Sequence, residues 1–279
     1  MVVIPLTTVV PNSDLGIEMR DAISSIMAYG VRVQFRVPAG LLAELPAPIV
    51  PGAKSDDRGP ADAVLSVRVN HSAEGAPLYE ITESGMVLGT ESNLQAAASI
   101  IESWAQLTVA TLAKELVFVH AGVVGWQNRA IIIPGRSLSG KSTLVLALVE
   151  AGADYYSDEY AIFDSEGRVH PYWRLPKLRV ASGNKVASHL IDGVLSGPPP
   201  TPIPLGWVLF SRYEPDGSWQ PRRLTCGETL LGLLDNTIPL RSRPEQSVKT
   251  LTTAIANAQG FEGPRGEAAD FVQQTLALL

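Results

Sequence analysis

The chain has 279 residues, 46% of them hydrophobic, with a formal net charge of −6 and a pI near 5.3. That balance supports an ordinary globular core, and it lacks the clustered basic residues of a nucleic-acid surface, so no nucleic-acid partner is expected. The single Cys226 excludes an internal disulfide framework and a thiolate zinc site; it is expected to be a partly buried small hydrophobe.

Residues 1–10 are apolar but carry Pro5 and no basic flank, so they read as neither a signal peptide nor a membrane span. A cytoplasmic protein without membrane contact is expected. Residues 1–89 read as a strand-rich N-terminal unit. Val31–Val37 and Ala63–Val69 alternate apolar and polar with period two, the pattern of half-buried strands. Between them, the Pro/Gly/Asp-rich segment Pro46–Pro60 reads as a mobile loop. Tyr79–Thr82 and Met86–Leu88 are two more candidate strands joined through Ser84-Gly85.

A second domain is expected over residues 90–279. Ser92-x-x-Gln95 has the form of a capping box. Leu94, Ala97, Ala98, Ile101, Trp104, Ala105, Thr108 and Leu112 then share one helical face, which predicts a helix over 93–116 with Trp104 in the core. The segment Glu115–Val119 leads into His120-Ala121-Gly122, read as a strand end near a ligand site.

The run Gly135-Arg136-Ser137-Leu138-Ser139-Gly140-Lys141-Ser142 satisfies G-x-x-x-x-G-K-[ST] at every fixed position. It follows the apolar strand Ala130–Ile133 and opens a helix through Thr143 to Val149, the context that the phosphate-loop motif requires. Glycines let successive backbone N–H groups face one anion, and the helix N-terminus adds partial positive charge. Lys141 reaches toward the β- and γ-phosphates of a nucleotide, and the Ser142 hydroxyl is a Mg²⁺ ligand. ATP and Mg²⁺ are therefore the expected cofactors.

Only 15 residues lie between Ser142 and Asp158. The loop helix stops at Gly152, a natural residue past a helix end, and the chain returns straight into the acidic pair Asp158-Glu159. That gap has no room for the switch regions of a GTPase, nor for the extra strand–helix unit of transport ATPases. Beyond it, Tyr160–Phe163 and Arg168–His170 flank the turn Asp164–Gly167 as a hairpin. The basic stretch Arg174–Arg179 offers Arg174, Lys177 and Arg179 as phosphate or substrate clamps. A second hairpin is expected from Trp207–Tyr213 and Gln220–Thr225, followed by helices near 227–235, 244–258 and 267–279. His71, His170 and His189 lack metal-ligand spacing and are expected to be structural.

The segment from His120 to Arg179 resembles the catalytic domain of the HPr kinase/phosphorylase family. It is most similar to the HPr-kinase-related kinases, some of them associated with maturation of ribosomally made peptides, including lasso peptides. The residues carrying the resemblance are His120-Ala121-Gly122, the loop Gly135–Ser142, the closely following Asp158-Glu159, the turn Asp164–Gly167 and the Pro/basic segment after it. The resemblance implies an α/β fold with a P-loop kinase core of the HPr kinase / PEP carboxykinase type. It further implies Asp158 as the base, Glu159 and Ser142 on Mg²⁺ together with Asp158, and His120 tuning Asp158; the roles of the two acids are interchangeable at this stage. Two features differ from the parent enzymes, which carry two adjacent Asp and a glycine-rich acidic signature further on. The expected acceptor is accordingly a Ser or Thr hydroxyl of a peptide or small protein other than HPr. The N-terminal unit would serve acceptor docking or homo-oligomerisation. A nucleotide-binding regulator without transfer activity, and a kinase of a free small-molecule hydroxyl, are the competing readings.

Overall fold

A computed structural model describes residues 8–10, 21–38, 49–56, 58–136, 139–174, 176 and 199–279. It is a mixed α/β structure with two sheets, which divides into two compact units, Met1–Lys114 and Glu115–Leu279. The expected break at 89/90 therefore moves to 114/115.

Among the described residues, the first unit is a seven-stranded sheet with one helix. Its strands are β1 (Thr8–Val10), β2 (Asp21–Ala28), β3 (Val31–Pro38), β4 (Lys54–Ser55), β5 (Ala63–His71), β6 (Pro77–Glu83) and β7 (Met86–Glu91). They run in the order β1-β2-β3-β5-β6-β7, with β4 beside β2. The period-two pattern locates the buried face: Val33, Phe35, Val37, Leu65, Val67 and Ile81 are all buried. Helix α1 (Leu94–Leu112) covers that sheet, with Trp104 edge-on to Phe35 at 6.4 Å and Gln106 Nε2 donating to the Ile49 carbonyl at 3.1 Å. Burying the α1 stripe here places the helix in the first unit. Its N-cap is Asn93, whose side chain accepts from the Gln95 and Ala96 N–H groups, so the cap expected at Ser92 falls one residue later. Leu112, assigned to the buried stripe, is exposed, while Gln106, Val109 and Ala110 are buried instead. Ile49 and Val50, within the segment expected to be a mobile loop, are buried as well.

The second unit is an eight-stranded sheet between two helical layers. Its strands are β8 (Val117–Trp126), β9 (Arg129–Pro134), β10 (Asp154–Ser157), β11 (Tyr160–Phe163), β12 (Arg168–His170), β13 (Ile203–Tyr213), β14 (Arg222–Leu224) and β15 (Gln259–Arg265). The helices are α2 (Lys141–Glu150), α3 (Cys226–Leu234), α4 (Pro244–Ile255) and α5 (Ala268–Leu278). Ile131 and Ile133 of β9 pack with α2 and α5 residues such as Leu144, Leu148 and Phe271. Ala130 and Ile132 pack on the other side with Leu233 of α3 and Leu251 of α4. A strand buried on both faces explains the unbroken apolar run.

Strand β9 is parallel to β13, and β13 to β15. Strand β8 lies antiparallel to β9 on one side and to β10 and β11 on the other. The short gap between loop and acidic pair is thus a right-length crossover from β9 through α2 to β10, with β8 between the two strands. The hairpin of β11 and β12 forms as expected, pairing Ile162 with His170. The second expected hairpin does not. β14 pairs with β15, which lies between it and β13. The sequence Gly260-Phe261-Glu262-Gly263-Pro264 of β15 has the composition of a turn and was not expected as a strand. Cys226, expected to be partly buried, is exposed at the start of α3. Among the described residues, no helix is long and apolar enough to cross a membrane.

Candidate functional site

Residues His120, Gly135, Lys141, Ser142, Asp158 and Glu159 meet at one end of the second unit's sheet. His120 lies within β8 and not at a strand end as expected: the strand continues to Trp126. The His120 carbonyl accepts from the Gly135 N–H at 3.3 Å, and the Ala121 N–H donates to the Glu159 carbonyl at 3.1 Å. One short stretch of β8 therefore touches both the phosphate loop and the acidic pair.

The acidic pair sits in an irregularity between β10 and β11, which follow each other along the same side of β8. The register shifts between Tyr155 and Ser157; Ser157 then pairs with Val123 and Tyr160 with His120, and Asp158 and Glu159 form the bend between the two strands. The Ser157 hydroxyl accepts from the Glu159 and Tyr160 N–H groups at 3.0 and 2.9 Å, which fixes the bend. A bulge of this kind re-aims side chains out of the ladder. Here the Asp158 carboxylate is buried, 2% exposed, and accepts from the Ser142 hydroxyl at 3.0 Å.

Helix α2 begins at Gly140, in the left-handed region at φ 85°, with no side-chain cap. Helix α3 begins instead with a complete capping box from Thr225 and Glu228. The first-turn N–H groups of an uncapped helix are unsatisfied donors in a positive field, a ready anion site. Lys141 is buried, and its Nζ donates to the Arg136 carbonyl at 2.8 Å, back across the loop. Burial pulls the Lys141 pKa down, while Glu159 and Asp158 hold it up. Gly122 of β8 lets the helix approach this closely: a Cβ there would fall 2.5 Å from Val145 Cγ2.

His120 has its Nδ1 4.0 Å from Glu159 Oε1 and its ring edge-on to Tyr160. Burial lowers its pKa to about 4, with Lys141 and Arg174 adding to the shift and Asp158 opposing it. His120 is therefore a neutral imidazole at physiological pH. Of the three basic candidates, Arg174 lies at the site, with Nε 3.4 Å from Asp158 Oδ1 and Nη2 3.5 Å from Glu159 Oε2. Lys177 and Arg179 lie outside the described residues, as do Ser137, Leu138 and His189. His170 is structural as expected, 2.7 Å from Asp164 Oδ2 across the β11–β12 turn.

Sequence reasoning missed two side chains that shape the site. The Tyr155 hydroxyl bridges Asp158 Oδ1 and the Arg174 carbonyl at 3.4 and 3.0 Å. Burial pushes its phenol well above the usual range, so it stays a proton donor. Its position three residues before Asp158 carried no local signal. Ser157 was legible in principle, as a serine two residues before a turn N–H.

Nucleotide and metal can be tested against these donors. The uncapped α2 N-terminus, Lys141 and the left-handed Gly140 offer donors that could hold a polyphosphate. The Ser142 hydroxyl and Asp158 carboxylate, sharing one point in space with Glu159 adjacent in sequence, are hard oxygen donors. Mg²⁺ takes one or two carboxylates and completes its shell with phosphate oxygens and water. Among the described residues no group of three or more His, Cys, Asp or Glu forms an all-protein cage, which this mode of binding does not need. The donor set fits MgATP.

Beside Gly135 and Arg136 a cleft of about 820 Å³ opens at the carboxyl ends of β9, β13 and β15, lined also by Phe210, Arg212, Asp235 and Glu262. Ligands of open α/β sheets bind in such crevices.

No protein-family model matches the chain, and no curated protein matches it. Among solved structures, it is similar to the Hpr(Ser) kinase/phosphatase from Coxiella burnetii. That likeness has 15% identity and a TM-score of 0.28, and covers 58% of this chain and 96% of the other. Overlap at this level carries no functional argument.

Proposed function

We propose that the chain is an ATP-dependent phosphotransferase that moves the γ-phosphoryl group to a Ser or Thr hydroxyl of a peptide or small protein. The observation that carries this reading is the 3.0 Å bond between the Ser142 hydroxyl and Asp158 Oδ2 at the mouth of an uncapped helix. A metal-ligating hydroxyl, a phosphate-reaching lysine and a carboxylate converge there, as in-line phosphoryl transfer requires.

Lys141, now bonded to the Arg136 carbonyl, would hold the phosphate oxygens of a bound nucleotide. Mg²⁺, when bound, neutralises charge on the β- and γ-phosphates. Asp158 takes the proton of the acceptor hydroxyl as the new O–P bond forms and the bond to the β-phosphate oxygen breaks, releasing ADP. Arg174 and Tyr155 hold Asp158 in place for that transfer, and His120, neutral, orders the Glu159 side. Lys141 reaches back to Arg136, which borders the cleft, so these two residues would hold the terminal phosphate end of a bound nucleotide. The acceptor hydroxyl enters from that cleft.

The exposed edge strand β7, with Met86, Val87 and Leu88 open to solvent, supports peptide docking by strand addition. The cleft volume lies in the range of small-ligand sites, and it favours the second reading, a free small-molecule hydroxyl. Mass spectrometry after incubation with MgATP, candidate peptides and small hydroxyl compounds distinguishes the two. A phosphate-mass shift on a peptide supports the first; a shift confined to a metabolite replaces it with the second. Tight ATP binding without any transfer would leave a nucleotide-binding regulator.

A further inference from the structure

Arg265 ends β15 and is 126 residues from the phosphate loop in sequence, yet its Nη2 donates to the Ser139 carbonyl at 3.4 Å. Its Nη1 donates to the Gly266 carbonyl at 2.9 Å, and its Cζ lies 5.1 Å above the Tyr213 ring. The residue is 5% exposed, and its Nε is buried without a hydrogen-bond partner. No carboxylate lies within ion-pair distance of it among the described residues. Glu267, whose charge acts on it, accepts instead from the Tyr213 hydroxyl at 2.8 Å. Two carbonyls and a ring offset only part of the cost of burying a guanidinium without an ion pair, and a nearby anion would offset more. The fold places this guanidinium against the loop that the preceding section assigns to phosphate.

The geometry of a planar trans peptide says what the contact does. The carbonyl of Ser139 and the N–H of Gly140 lie in one rigid plane and point in opposite directions within it. Holding the carbonyl outward on Arg265 aims the Gly140 N–H inward, into the concavity that binds an anion. The same packing accounts for glycine at 140 twice over: φ is 85°, and a Cβ would fall 2.6 Å from Arg265 Nη2. Resting on the nucleotide-binding reading, we propose that Arg265 is the positioning residue of the phosphate loop. Its fork, bonded to Gly266 and Ser139 together, orients the 139–140 peptide for polyphosphate and adds a fixed positive charge behind it.

The test uses the full chain, with MgATP and inorganic tripolyphosphate as probes in calorimetric titration. Melting temperature and the Gly140 amide resonance are followed in parallel. Arg265→Ala is expected to weaken both probes at least tenfold and to abolish the downfield shift of the Gly140 amide on ligand addition. Arg265→Lys keeps the charge but cannot bond both carbonyls from a rigid fork, and it is expected to lose several-fold. Wild-type affinity in Arg265→Ala, or a lowered melting temperature with affinity unchanged, would overturn the proposal. If Arg265→Ala fails to fold, Arg265→Lys decides, and wild-type affinity with a normal Gly140 shift overturns it. A wild-type chain that binds neither probe refutes the nucleotide reading itself, a separate outcome.

Discussion

Each side chain around Asp158 has a different job, and the jobs separate on substitution. Lys141→Ala removes a charge from ground and transition states alike, so ATP affinity and turnover should both fall. Asp158→Asn keeps the shape and the Ser142 contact while removing the proton acceptor. It should leave ATP affinity within a few-fold and lower transfer by about 10²–10⁴, read by titration and single-turnover assay. His120 carries a stability signature. Its pKa is lowered from 6.5 to about 4 in the fold, so the unfolded chain binds the proton more readily. Its contribution is complete above pH 6.5 and is lost as pH falls toward 4. Lys141, Arg174, Asp158, Glu159 and Tyr160 surround it. Chemical denaturation at several pH values should give a steeper loss between pH 6.5 and 5 in the wild type than in His120→Gln. Identical slopes would contradict the buried, neutral imidazole.

At the level of elements, the β9–loop–α2 unit depends on a close approach across β8. Gly122→Ala would push a methyl group to within 2.5 Å of Val145 Cγ2, and overpacking of this kind costs about 1–3 kcal/mol. Gly122→Ala combined with Val145→Ala should recover part of that loss, a coupling that thermal melts can measure. The loop, its strand and its helix were legible because each is local: an apolar run, a glycine-rich turn and a helix stop at Gly152. The acidic pair was legible from its spacing. Strand β15 was not, because its glycines and proline match a turn and its identity comes from pairing with β13 and β14. Arg265 and Tyr155 were illegible for a related reason, since only tertiary packing brings them to the loop and to Asp158. The capping box at Ser92 lost to Asn93, one residue nearer the first helical turn and itself a strong cap.

For the whole molecule, the boundary at 114/115 makes a prediction that the sequence-derived boundary at 89/90 does not share. A fragment 115–279 contains the entire second sheet, both helical layers and the site, and should fold and bind MgATP. A fragment 90–279 carries α1 without the sheet that buries Ala97, Ile101 and Trp104, and it should self-associate through that apolar stripe. Size-exclusion chromatography and nucleotide titration of the two fragments check this; equal behaviour would remove the argument for assigning α1 to the first unit. The fold thus concentrates the proposed chemistry in one unit, while the other carries the open edge strand on which the proposed acceptor docking depends. The central claim is phosphoryl transfer with Asp158 as the base, and γ-labelled ATP tests it most directly. With Mg²⁺ and an acceptor, wild-type protein should move label onto a hydroxyl, while Asp158→Asn binds the nucleotide but transfers at least a hundredfold less. Transfer by Asp158→Asn at the wild-type rate would contradict the account.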